Sequence, residues 1–234
     1  MTEKDTFQKI DEFHDERIEK LKQGKVPKPF PDGGKIVLQL IPLESFDGPK
    51  QYDLSVYDGQ FEIVKPSSGF PFDQEFNFDG LLYFALGGDN LCLRYLQIYF
   101  NGMIEKVDGY YLRKIEGEKT QAISSIFSIE EELVGDTKQY LLFQRELGIK
   151  PPIVLYLDFL RVKGFKIELG SKNPDVFDRI HPIDRDDLNF PKIIIENIDV
   201  PIEKLLKPNL DRLYNACGYP RSFHYDEKGQ WSKR

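Results

Sequence analysis

Several residue types are scarce in this 234-residue chain, and each scarcity removes a class of function. There are two cysteines, Cys92 and Cys217, and neither has a Cys or His neighbour at a zinc-ligand spacing. A disulfide framework and a structural zinc site are therefore not expected, and the compartment reads as reducing. No apolar run approaches the roughly 18 residues of a membrane span, and the charged N-terminus lacks the apolar core of a signal peptide. A cytoplasmic location without membrane contact is the expectation. Positive charge is in deficit, with 32 Lys and Arg against 39 Asp and Glu and a net charge of −7, so nucleic acid is not the default partner. Phosphate-loop and nucleophile-elbow signatures are missing. Gly87-Gly88-Asp89-Asn90 lacks the Lys-Ser/Thr and following helix of a P-loop, and no G-x-S-x-G occurs. No cofactor and no bound metal are expected.

What is present is a folding sequence, 40% hydrophobic and 13% aromatic, long enough for a substantial core. Phe7, Ile10, His14, Ile18 and Leu21 fall at spacings of three and four, which predicts an amphipathic N-terminal helix over 1–24. A Pro/Gly-rich linker over 25–34 ends it. Lys35–Leu43 reads as a buried strand, followed by a Gly, Pro and Asp-rich excursion with a short hairpin near Tyr57–Val64. Strands follow at Gly80–Leu86, Tyr95–Phe100 and Ile104–Lys114, the last two joined by an Asn101-Gly102 type I′ turn. Ser128 and Glu131 form a capping box that predicts a helix to Leu147, with Gly148 as its left-handed cap. A second hairpin is expected from Ile153–Leu160 and Phe165–Leu169 across Lys163-Gly164, then a strand at Lys192–Ile195. The last helix runs from Pro201 to Cys217, broken or kinked at Pro208.

These elements predict an α+β fold: a mainly antiparallel sheet of about 5–7 strands, a long helix on one face, an N-terminal amphipathic helix and a C-terminal helix. The α+β domain would occupy 35–218, with a C-terminal arm over 219–234.

Six segments taken together resemble a known group. F-H-D-E-R-I-E-K-L (13–21), K-I-V-L-Q-L-I-P-L (35–43), N-F-D-G-L-L (77–82), Y-L-Q-I-Y-F-N-G-M-I-E (95–105), H-P-I-D-R-D (181–186) and Y-N-A-C-G-Y-P-R-S (214–222) are similar, in this order, to the region that follows a Schlafen-AlbA-type DNA-binding domain in bacterial proteins. Nothing here resembles the Schlafen-AlbA domain itself, so the DNA- or ATP-binding label of those proteins does not carry over. The resemblance implies either a stand-alone protein of the downstream type, or a fragment or partner subunit whose first helix packs on such a domain.

Three functional readings follow. The first is a non-enzymatic interaction or regulatory module of a bacterial cytoplasmic protein, contacting a protein partner or a second copy through the N-terminal helix and the C-terminal arm. The second is a metal-dependent hydrolase. His181, Asp184 and Asp186 lie within H-P-I-D-R-D-D, Asp79 sits at the head of a strand in N-F-D-G, and His and Asp oxygens and nitrogens suit a divalent ion if they converge. Their structural alternative is turn chemistry: Asp and Asn cap local backbone N–H groups. Glu116-Gly117-Glu118-Lys119 contains an E-x-K but reads as a solvated turn. The third is a nucleic-acid accessory using the arm, where Arg221, His224 and Trp231 interleave charge with aromatic rings.

Overall fold

The computed structural model describes residues 2–59, 73–114, 117, 121–123, 125–169 and 180–232. The expected hairpin at 57–64 and the Glu116–Lys119 turn lie largely outside these residues. Helix α1 (Glu3–Lys22) opens on a capping box between Thr2 and Asp5. Strands β1 (Lys35–Pro42), β2 (Asp73–Phe76), β3 (Gly80–Leu86), β4 (Cys92–Tyr99), β5 (Ile104–Asp108), β7 (Ile153–Leu160) and β10 (Ile193–Ile195) form one antiparallel sheet in the order β10-β7-β1-β5-β4-β3-β2, with the two-residue β9 (Leu188–Asn189) also beside β7. A separate parallel pair joins β6 (Gln121–Ile123) to β8 (Phe165–Ile167). Helices α2 (Ile126–Glu146) and α3 (Ile202–Asn215) cover one face of the large sheet and α1 covers the other.

Coverage of both faces explains why the central strands read as continuous apolar runs. In β1, Ile36, Leu38 and Leu40 point to the α2 and α3 layer, while Val37 and Ile41 point to α1. The stripe of α1 is spent in the same way: Ile10, Ile18 and Leu21 pack on Val37, Ile41, Val107 and Tyr156, and none of the large exposed apolar side chains of the described residues belongs to α1. The expected use of that stripe for a partner gives way to packing on the chain's own sheet.

Four local expectations change. Asn101-Gly102 does not form a type I′ turn: only Gly102 has positive φ (+87°), and its N–H donates to Tyr99 O, so the loop is a three-residue turn closed by the Tyr99 N–H to Met103 O bond. The second hairpin is not formed. β7 already has β1 on one side and β9 and β10 on the other, and the chain turns away at Arg161 (φ +53°), leaving β8 to pair with β6. Helix α2 begins at Ile126, ahead of the Ser128 capping box, because burial of Ile126 and Ile129 outweighs a cap. Pro208 lies inside a single helix α3, held by buried Leu206, Leu210, Leu213 and Tyr214.

Candidate functional site

Asp79 is exposed in the turn between β2 and β3. Asn77 Oδ1 accepts the N–H groups of Asp79 and Gly80, each at 3.0 Å, which is an Asx turn. Gly80 is demanded by geometry: a Cβ there would stand 2.0 Å from Ile98 O, and φ is +153°. The same turn projects Phe78 into solvent at 99% exposure, and Phe76 beside it is 44% exposed.

H-P-I-D-R-D-D lies on the far side of the sheet. The loop enters β9, on the outer side of β7, so five strand steps separate it from β3; at ~4.8 Å each, Asp79 is roughly 24 Å from the others. The ligands of the hydrolase reading do not meet, and no group of three or more His, Cys, Asp or Glu among the described residues is placed to hold a metal. The heptapeptide is instead a clamp. Ile183 is buried, its N–H donates to Phe165 O (2.7 Å) and its carbonyl accepts from Gly164 N–H (2.9 Å). Asp186 O accepts the Val162 N–H at 2.7 Å. Asp187 takes the Arg161 N–H at 2.9 Å on one oxygen and the Lys22 ammonium at 2.8 Å on the other, so it ties the end of α1 to the turn after β7. Donation to the Asp187 carboxylate raises the Lys22 pKa above its ordinary value.

His181 and Asp184 are nevertheless brought together, with Arg185, on the rim of a groove of about 410 Å³. The last turn of α3, with Arg212 and Asn215, forms the opposite wall, and Leu188 and Phe190 line it between them. The Arg185 Nε meets Asp184 at 3.3 Å. Asp186 is exposed outside the groove.

Two clusters of charge are buried and internally paired, one on each face of the sheet. Beneath α1, Glu105 accepts from Arg17 (2.6 and 3.0 Å), Tyr95 (2.7 Å) and Gln39 (2.8 Å). Because Gln39 donates its amide to Glu105, its Oε1 accepts from His14 Nδ1 at 2.8 Å, which puts a proton on that nitrogen. The ring of His14 stacks on Tyr156 at 3.9 Å. Burial would lower the Arg17 pKa, but Glu105 outweighs it and raises it. On the α2 face, Arg94 meets Asp108 (3.1 Å) and Glu132 (3.4 Å), while Lys106 meets Asp136 and Glu132. Burial would lower Lys106 as well; the carboxylates of Asp136, Asp108 and Glu132 raise it instead. A void of about 10 Å³ borders this cluster, the size of one water. Composition and periodicity gave no sign of either network. The available hint was charge inside a buried strand, as at Glu105, Lys106 and Asp108.

The cysteines are core residues, and burial pushes the Cys92 thiol up to about 12 and raises Cys217. The arm packs down as well. The buried His224 ring stacks on Trp231 (4.3 Å) and meets the edge of Phe127, with Nδ1 2.8 Å from Ser232 O and Nε2 3.3 Å from Phe127 O. Arg221 donates to Asp226 O at 3.2 Å. The ring faces that a nucleobase would stack on are thus turned on one another. No family model, curated protein or solved structure matches the chain.

Proposed function

We propose that the protein is an interaction module, working in the cytoplasm, that recognises a protein partner along the β2 edge of its sheet with Phe78 as anchor. One observation carries this reading: a phenylalanine 99% exposed at the tip of a turn whose other residues are dictated by its geometry. Asn77 caps the turn and Gly80 makes the close approach, but nothing in the fold calls for an aromatic ring at position 78. Burying such a ring in a partner contributes roughly 1.5–3 kcal/mol, the scale of an interface hot spot. Among the described residues β2 has one strand neighbour, β3, which makes its outer edge the place where strand addition would occur.

This moves the recognition surface away from α1 and the arm, whose apolar side chains are engaged internally. The resemblance to the region downstream of Schlafen-AlbA-type domains supplies a first partner to try, a domain of that type. A photo-reactive phenylalanine analogue at position 78 tests the reading in the producing cell. Discrete cross-linked species are expected from position 78 and not from the same probe at Glu168, which lies beyond β8. Equal or no cross-linking from both positions would remove the proposal.

A further inference from the structure

We propose that the groove between the His181–Phe190 loop and the last turn of α3 binds a small organic anion, a carboxylate or phosphate monoester carried on an apolar body. This site is separate from the β2 edge and stands on its own observations. Arg212 is the one arginine among the described residues whose guanidinium has no partner, and it forms part of the groove wall. Across from it, Arg185 is engaged by Asp184 only through Nε, which leaves its two terminal nitrogens for a ligand. His181 contributes a third polar group, its Nδ1 facing Pro182 O at 3.1 Å and its Nε2 unengaged. Two guanidinium groups against one carboxylate give the groove a local positive balance on a chain of net charge −7.

Guanidinium forks match the planar or trigonal oxygens of carboxylates and phosphates, and they hold such groups bidentately. Leu188 and Phe190 offer an apolar surface between the two rims, which suits a ring or short aliphatic chain rather than a bare ion. The volume, about 410 Å³, falls in the range of small-molecule sites. The walls are pre-formed: the His181 N–H donates to Cys217 O at 3.2 Å, tying the loop to the end of α3, and Asn215 Nδ2 donates to Tyr219 O and Pro220 O. A ligand therefore meets a site that is already ordered.

The test is an amide-resolved NMR titration with phenyl phosphate, benzoate, inorganic phosphate and the neutral benzyl alcohol. Phenyl phosphate or benzoate should shift the amides of 181–190 and 212–217 saturably, more strongly than inorganic phosphate or benzyl alcohol, and the stronger of the two names the oxyanion. Arg212→Gln or Arg185→Gln, both exposed and so harmless to the fold, should weaken binding about tenfold or more, as loss of a charge-assisted pair does. Arg145→Gln, remote from the groove, should leave it unchanged. The proposal is overturned if neither aromatic anion shifts these amides saturably up to about 20 mM, above the millimolar affinity expected of such fragments. It is equally overturned if benzyl alcohol binds as well, or if both groove variants bind like the wild type.

Discussion

Glu130 shows at the residue scale how much of this protein's charge serves its own architecture. It is fully buried on α2 and accepts the hydroxyls of Tyr214 and Ser222, both at 2.5 Å. Burial raises its carboxyl pKa, and the Ser222 and Tyr214 hydroxyls with nearby His224 offset only part of that rise. The folded protein therefore holds a proton here more tightly than the unfolded chain. Its contribution to stability is fully present below the ordinary glutamate value and is lost as pH rises through the higher folded value. Glu130→Gln keeps an acceptor for Tyr214 and cannot ionise. Urea midpoints from about pH 4 to about pH 8 should decline less in this variant than in the wild type, whereas parallel declines would contradict the assignment. Gly80 gives a second prediction. Gly80→Ala forces a Cβ against Ile98 O at a positive φ, and it should cost at least about 2 kcal/mol in the same unfolding experiment.

At the scale of elements, the question is what α1 packs on. Ile10 and Ile18 are almost completely buried against the sheet. Ile10→Ala should lower unfolding free energy by about 2–4 kcal/mol; a cost near zero would mean that the helix is not held there in solution. Opposite it, Lys106→Met should cost about 3–5 kcal/mol, because Asp136 and Glu132 would be left buried with fewer cations. Much at this scale was legible in the sequence. The stripe of α1, the β4–β5 turn, Gly148 after α2 and the α+β order all follow from periodicity and punctuation. Pairing was less legible: β7 and β8 look like a hairpin locally, yet the competition of β1, β9 and β10 for β7 is decided by residues far apart in sequence. The destination of the α1 stripe was also hidden, since an amphipathic face reads the same whether its own sheet or another chain covers it.

Taken as a whole, the molecule buries one ionic network on each face of its sheet and leaves Phe76 and Phe78 exposed at one edge. His181 and Asp184 were visible as a pair in the heptapeptide, and the fold does place them in one groove; Arg212, the opposite wall, was not, because only the packing of α3 brings it there. Phe78 carried a readable signal, since an Asx turn at Asn77 already implies a projecting side chain at the next position. Under the proposed function this residue serves recognition and not the fold. The most direct measurement is the native mass of the chain in an extract of the producing cell, wild type against Phe78→Asp, with the unfolding midpoint of each recorded. Equal midpoints are expected, with a wild-type species above the chain's own 27.3 kDa and Phe78→Asp at 27.3 kDa. Identical native masses for the two proteins, or a variant that loses its fold, would contradict it.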